Sequence, residues 1–336
     1  MSRACLVLFL ALPTLASAED GPEITVSDVL FAHYGVDLTE GAELANSFDL
    51  DRTYLRTDAK LGDELAVRLT LDSNRQSSQT VVLPTGEELE IPADTRVRVF
   101  VKHAWLAWKP NKELEIRGGM VDTPFLSAVE RYQDLRWTAR TFLDDQKLAS
   151  TTDLGVSASG RHAKGTFGWG TGVYNGEFFS SPETGSGKSL QARVTLDPLV
   201  AGEDDLKLPI TAFVEQELYE GDVPSSLLFA GDLGFVHPNL MLSAQVAGRS
   251  QDGISGLGQS AQISPRIEDV GFLYGRFDRW DPDTATEDDG NTKLIGGVAH
   301  ELYEEVLLGL QYERLTLESD PELPEHGVFL RMQAGF

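Results

Sequence analysis

The sequence predicts an all-β protein, a closed antiparallel transmembrane β-barrel of about sixteen strands whose third outer loop folds inward. Apolar and polar residues alternate in short segments along the chain, which is the pattern of strands with one apolar face. The connections between these segments are alternately long and short, as in barrels that cross a membrane. After the N-terminal region, no apolar run approaches the roughly eighteen residues of a membrane helix.

The N-terminal region predicts export. Arg3 precedes the apolar run 4–12, and Ala16-Ser17-Ala18 is a small-x-small cleavage sequence. We therefore expect residues 1–18 to be a cleaved signal peptide and residues 19–336 to form one barrel domain. The single cysteine, Cys5, leaves with the signal, so we expect a mature chain without disulfides.

Sixteen segments show strand patterning, and the clearest alternation lies at 65–72, 189–197, 240–248 and 306–314. Strands of about nine to eleven residues suffice to cross a bilayer when tilted. The predicted strands are 26–36, 48–61, 65–72, 96–108, 113–121, 153–160, 166–174, 189–197, 208–216, 226–236, 240–249, 257–264, 270–280, 292–300, 306–314 and 327–336.

Loop lengths predict which end of the barrel is which. Counted from the N-terminus, the odd connections are long and the even ones are short, with 198–207 as the exception. Outer-membrane barrels have long outer loops and short periplasmic turns. An even number of strands then places both chain ends on the periplasmic side.

The last strand predicts how the barrel closes. Val328, Leu330, Met332, Ala334 and Phe336 share one face of segment 327–336. A terminal aromatic on an alternating strand is typical of outer-membrane proteins, and we expect Phe336 to take part in assembly and barrel closure. Closure is required because a bilayer offers no partner for an open sheet edge. On the presumed outer face, the aromatic girdles are expected to include Trp105, Trp169, Phe277 and Tyr312.

Composition and motifs argue against several chemistries. The net charge of −25 disfavours nucleic-acid binding, which needs a basic surface. Gly187-Lys188-Ser189 lacks the upstream glycine of a phosphate loop, and segment 300–304 lacks the second histidine of a zincin. The acidic run 281–291 lacks EF-hand spacing; a solvated loop or a divalent-cation contact with lipopolysaccharide both fit it. We therefore expect no catalytic site, no cofactor and no resident metal.

The third outer connection, 122–152, is long enough to enter the lumen and narrow it. Strand parity turns Arg68, Arg98, Lys102 and Arg117 inward, and it places Arg68, Lys102 and Arg117 near mid-height on neighbouring strands. Opposite this basic wall the loop carries acids that would set a transverse field: Glu130, Asp134, Asp144 and Asp145.

Several stretches resemble the phosphate-selective porins of the O/P type. They are 48–72, 101–125, 152–160, 173–177 and 276–283, and the likeness lies in their order. The resemblance implies a sixteen-stranded porin, usually trimeric, that passes anions along a ladder of basic side chains. It also implies that the third loop supplies arginines, and the matching residues are Arg131, Arg136 and Arg140. The chain departs from this family in its net charge of −25 and in its acid-rich third loop.

The expected function is passive diffusion of small ions and polar solutes, with inorganic anions such as phosphate as candidates. The expected location is the bacterial outer membrane, with lipid, lipopolysaccharide and two further copies of the chain as partners. Two alternatives stay open. One is a barrel-embedded hydrolase using His103 and a nearby serine; the other is a gated, substrate-specific transporter, although residues 19–25 are too few for a plug domain.

Overall fold

The computed structural model describes residues 21–41, 45–76, 79–82, 88–91, 94–133, 135–176, 178, 187–199, 206–218, 225–267 and 270–336. The expected signal peptide, 1–18, lies outside the described residues, and so does Asp134 of the third loop. No helix in the described ranges is both long and apolar enough to cross a membrane.

Sixteen antiparallel strands form one closed barrel in which chain neighbours are sheet neighbours. Every predicted segment overlaps one of them, so the predicted fold class is confirmed. The barrel strands are β1 (Glu23–Asp37), β2 (Asn46–Leu61), β3 (Leu65–Gln76), β6 (Asp94–Asn111), β7 (Leu114–Asp122), β8 (Thr152–His162), β9 (Phe167–Tyr174), β10 (Lys188–Leu196), β11 (Ile210–Leu218), β12 (Ser226–His237), β13 (Leu240–Gln251), β14 (Ile254–Ile267), β15 (Gly271–Asp281), β16 (Asn291–Tyr303), β17 (Val306–Leu317) and β18 (Asp320–Gly335). Two short strands, β4 (Gln79–Val82) and β5 (Glu88–Ile91), form a separate hairpin in the second outer connection.

The first and last strands close the barrel. β1 pairs with β18 from Val29 opposite Gly335 to Asp37 opposite Gly327. Beyond the last pair, the backbones of Asp28 and Phe336 exchange two hydrogen bonds of 3.3 and 3.2 Å. The backbone groups of both terminal strands are thereby paired, as a hydrocarbon surrounding requires. The role of Phe336 in assembly stays a prediction.

The two faces of the wall have opposite polarity. Apolar side chains such as Phe229, Leu257 and Leu310 are exposed on the outside. Polar side chains such as Gln245 and Gln311 are buried inside. This inversion of the usual soluble pattern follows from the period-two alternation, because successive residues of a strand point to opposite faces.

The girdle prediction is wrong for Trp105. Its ring is only 6% exposed and faces the lumen, whereas Phe277 and Tyr312 lie on the outer face. The cause is a β-bulge: Thr70 pairs with His103 but Leu71 pairs with Val101, which leaves Lys102 as an extra residue. Lys102 and His103 both point inward, and the parity of β6 is reversed from there to its end.

Two outer connections are shorter than predicted. β13 and β14 pair up to Gln251 and Ile254, and β17 and β18 pair up to Leu317 and Asp320, so the sixth and eighth outer connections are tight turns. The segment between the last two predicted strands contains prolines at 321 and 324, and this part of β18 lies beyond its last pairing with β1. A strand with one free edge accepts proline because no ladder bond is lost there.

The third outer loop, between β7 and β8, folds into the barrel, as predicted. It contains two single-turn helices, α1 (Leu126–Val129) and α2 (Phe142–Asp145), whose apolar residues are buried. One apolar cluster joins Leu126 and Leu143 to residues of β11, β12, β13 and β15. A second cluster places Trp137 against Phe272 and Tyr274 of β15, with ring centroids 6.2 and 5.6 Å apart. Burial of these side chains, at about 25 cal/mol per Å² of apolar area, holds the loop inside.

Candidate functional site: the constriction at the third loop

The third loop covers one side of the lumen and leaves the other side open. Its apolar face packs on β11 to β16, and two polar contacts fix the same face: the Tyr132 hydroxyl donates to Asp232, and Gln133 Nε2 donates to Ser243 Oγ at 2.8 Å. Its charged face, with Glu130 and Arg136, points instead to β2 and β6. The candidate constriction is therefore the space between the charged face of the loop and the wall of β2, β3 and β6.

Arg136 organises the charged face. Its Nη1 donates to Asp144 Oδ2 at 3.0 Å, and its Nε lies 3.2 Å from Glu130 Oε1. Asp144 also pairs with two other arginines: its Oδ2 lies 3.6 Å from Nη2 of Arg52, on β2, and its Oδ1 lies 3.9 Å from Nη1 of Arg140. Burial alone would raise the pKa of Asp144, but Arg136, Arg52 and Arg140 together lower it below its usual value. Likewise, burial opposes the charge on Arg136, yet Glu130 and other negative neighbours raise its pKa. Both groups are therefore charged at neutral pH.

The tip of the loop is bonded to β15 and β16, across the barrel from the strands β7 and β8 that carry the loop. Asp145 pairs with Lys293 of β16 at 3.0 Å, and Gln146 bonds Asn291 at 3.2 Å. Arg276 of β15 donates to the backbone carbonyl of Arg140. From Lys293 the charges continue along the inner wall as an alternating series, in the order Glu313, Arg331 and Asp51, and Asp51 forms a hydrogen bond with the ring of His33. The loop is thus one member of an ion-pair network that runs to β2.

The structure brings Arg68 and Arg117 together on the ring of Trp105, a side chain that strand parity had predicted to face outward. Their guanidinium carbons lie 5.1 and 4.5 Å from the Trp105 ring, one from β3 and one from β7. Cation–π contacts of this kind contribute about 0.5–2 kcal/mol each. Arg68 pairs with Asp58 at 2.6 Å, and Arg117 pairs with Glu115 and Asp122.

Lys102 does not join that pair, because the bulge displaces it along β6. Its Nζ lies 2.9 Å from the Tyr54 hydroxyl and 4.4 Å from the centre of the ring, facing the third loop. Arg98 lies four residues nearer the outer end of β6 and is exposed. Arg131 and Arg140 are exposed as well, so Arg136 is the buried member of the three arginines that the resemblance implied.

Several residues of the constriction were missed by sequence reasoning. Strand parity predicts that Arg52 and Arg56 of β2 face the lumen, and Tyr54 shares this parity, but parity does not predict that these residues meet the third loop. Lys293 alternates with Ile295 on a strand that reads as apolar, which concealed it. His103 and Trp105 face inward only because of the bulge, and nothing in the local sequence marks that position.

A cavity of about 140 Å³ lies between the loop and the wall, bounded by Tyr54, Arg56, Lys102, Glu130 and Arg136 among others. A separate, wider space of about 610 Å³ lies near the outer ends of β1, β2, β17 and β18. Within the described ranges, no group of three or more histidine, cysteine, aspartate or glutamate side chains could hold a metal ion.

Comparison with known proteins supports the architecture. No family model and no curated protein matches the chain. The anion-selective porin from Comamonas acidovorans has 14% identity and a TM-score of 0.60, with 94% of this chain and all of that chain covered. The chain has the fold of the outer-membrane porins. OmpF of Salmonella typhi, solved with daunomycin, gives 10% identity and a TM-score of 0.66 over 93% of this chain and 97% of its own. The trimer form of OmpT, an outer membrane protein of Vibrio cholerae, has 11% identity and a TM-score of 0.63, with 94% of this chain and 100% of that chain covered. At such identities the likeness concerns the fold.

Proposed function

We propose that the protein is an outer-membrane porin that lets small ions and polar solutes diffuse passively through the lumen beside the third loop. The observation that carries the proposal is the inverted barrel, apolar outside and polar inside, with a charged loop narrowing one side of its lumen. Such a wall suits a bilayer outside and water inside. The likeness to solved outer-membrane porins supports the same function.

The proposal includes the cellular setting. Residues 1–18 direct export, residues 19–336 form the barrel, and lipid and lipopolysaccharide surround it. The trimer form of the Vibrio cholerae protein supports a homotrimer for this chain.

A liposome swelling assay tests the proposal. Liposomes containing the folded protein should swell in isosmotic arabinose or glycine, and more slowly as the solute grows, because the loop limits the width of the passage. Boiled protein is the control. Folded protein that admits no solute would contradict the proposal.

The proposed selectivity is a mild preference for anions, in keeping with the resemblance to phosphate-selective porins. Four luminal bases, Arg56, Lys102, Arg193 and Arg249, have no ion-pair partner among the described residues. In a wide, wet pore, screening over a Debye length of about 8 Å keeps the effect small. The acids of the outer loops oppose it at the outer mouth.

Reversal potentials in a KCl gradient test the selectivity. The wild type should prefer chloride at low salt and lose that preference at high salt. The triple change Arg68→Glu, Lys102→Glu, Arg117→Glu should reverse it. A wild type that prefers potassium, with a triple variant that is no different, would place these residues outside the ion path.

The hydrolase alternative gains nothing from His103. A catalytic histidine uses one ring nitrogen for the acid and the other for the nucleophile. Here Nε2 faces both Asp122 Oδ1, at 2.9 Å, and Thr152 Oγ1, at 3.2 Å, while Nδ1 is buried without a partner among the described atoms. His103 instead joins the end of β7 to the start of β8, where the third loop leaves and re-enters the wall.

A further inference from the structure

The cavity of about 140 Å³ between the third loop and the wall has the size of a small-solute site. An engineered cavity of about 150 Å³ holds benzene, a molecule of six heavy atoms. Unlike such an apolar cavity, this one is bounded by charged and hydroxyl groups from β2, β3 and β6 and from the loop. It therefore fits a polar molecule of about six heavy atoms.

Polar atoms around the cavity are buried without protein partners. Arg56 Nε, Thr70 Oγ1 and Arg136 Nη2 are buried donors that bond no described protein atom. Thr70 is fully buried. Glu130 Oε1 accepts no well-formed hydrogen bond, although Arg136 Nε lies 3.2 Å away. A buried polar group left unpaired is costly, so this set is poised to bind a ligand that has both acceptors and a donor.

The charge around the cavity selects among such ligands. Three cations, Arg56, Lys102 and Arg136, face two carboxylates, Asp122 and Glu130. These five groups sum to one positive charge. A monoanion such as lactate balances this sum, and a zwitterion such as alanine leaves it unchanged while its carboxylate and ammonium face groups of opposite charge. Phosphate, near −1.5 to −2 at neutral pH, exceeds the sum and faces Glu130. A carboxylate also matches arginine donors in charge and shape.

We propose that this cavity is a selective subsite for small monocarboxylates that carry a hydroxyl or ammonium group on the adjacent carbon. The carboxylate takes the donors of Arg56, Thr70 and Arg136, and the hydroxyl or ammonium donates to Glu130. The proposal rests on the proposed porin function, since a solute must pass the loop to reach the subsite. It gives the passage a preference for 2-hydroxy and 2-amino acids over inorganic phosphate.

Single-channel recording in KCl with four added solutes tests the subsite. L-lactate and L-alanine carry both required groups, propionate lacks the donor, and inorganic phosphate has the wrong charge. Lactate, alanine or both should block the current saturably, with a half-blocking concentration about tenfold below those of propionate and phosphate. The stronger of the two shows whether a hydroxyl or an ammonium is preferred. Equal block by all four, or none by any, would overturn the proposal.

Matched variants locate the effect. Thr70→Val removes the buried hydroxyl at constant volume and should weaken the block about tenfold, whereas Thr70→Ser should retain it. Arg56→Gln should weaken it as well. Arg279→Gln changes an exposed arginine that pairs with Glu318 on the outer face, and it should leave the block unchanged. If lactate or alanine blocks folded Thr70→Val and Arg56→Gln as strongly as it blocks the wild type, the assignment is overturned.

Calorimetry of the detergent-solubilised barrel separates this proposal from the porin function. Lactate or alanine should bind with one site per chain and Thr70→Val should weaken it, whether or not the protein conducts. Binding without conductance would refute the porin function alone. Conductance without binding would refute the subsite alone.

Discussion

At the residue scale, the position of one inserted residue decides the chemistry of the basic wall. The bulge at Lys102 turns Trp105 inward, where it separates Arg68 and Arg117 with its ring. The two guanidinium groups come from β3 and β7, the strands on either side of Trp105. The ring holds them apart and fixes their direction, although they repel each other. The same insertion directs Lys102 towards the third loop, where it contacts Tyr54.

Fluorescence quenching by brominated lipids tests this reversal of parity. We expect a variant that retains only Trp108 to be quenched strongly, because that ring lies outside, whereas a variant that retains only Trp105 should be quenched weakly. Iodide in the aqueous phase provides the matched control, since it should reach the lumen. Strong lipid quenching of Trp105 would mean that β6 runs without the bulge.

A second residue-scale prediction concerns Asp144 and pH. Its pKa in the folded loop is lowered by Arg136, Arg52 and Arg140, although burial opposes this. Its contribution to loop anchoring is therefore fully present above the unfolded value of about 3.9 and is lost as the pH falls through the lower folded value. Single-channel conductance should be steady from pH 7 to about pH 4 and rise only in stronger acid. Asp144→Asn should show the raised conductance already at pH 7.

The partly exposed acid Asp283 supplies the control for this measurement, because its hydrogen bonds with described residues lie within its own outer turn. Asp283→Asn should conduct like the wild type across the range. If Asp144→Asn also conducts like the wild type across the range, the ion pairs of Asp144 do not set the position of the third loop.

At the element scale, strands were easier to predict from sequence than the loop between them. Period-two alternation marked all sixteen strands because each has an apolar outer face and a polar inner face. The length of the third connection indicated that it enters the lumen. Its orientation could not be predicted, because Leu126, Trp137 and Leu143 find their partners on strands far along the chain. For the same reason the sequence does not show that Arg136, rather than Arg131 or Arg140, forms the buried ion pairs of the loop.

The last strand carries a prediction of its own. Phe336 exchanges two backbone hydrogen bonds with Asp28 and exposes its ring on the outer face. Deleting it should lower the yield of heat-modifiable, folded barrel, because the closing seam loses its last pair. Phe336→Tyr keeps the backbone and an aromatic ring and should fold like the wild type. Equal yields of all three chains would remove Phe336 from the closing step.

At the scale of the whole molecule, the structure separates stability from passage. The barrel is held by the paired strands, and the loop is held by apolar packing and ion pairs on the inside of β11 to β17. The loop can therefore be shortened without breaking the ladder of the wall. This separation is the central claim, since it makes the third loop the element that sets the width of the passage.

Single-channel conductance in a planar bilayer, compared between the wild type and a chain lacking residues 128–146, tests that claim most directly. The wild type should give discrete steps, and the shortened chain should give larger steps while it still shows β-rich circular dichroism and heat-modifiable migration. The increase follows because the deleted segment includes Glu130, Arg136 and Asp144, which face the open side of the lumen. Equal steps from two folded barrels would contradict the account, because the third loop would then not bound the passage.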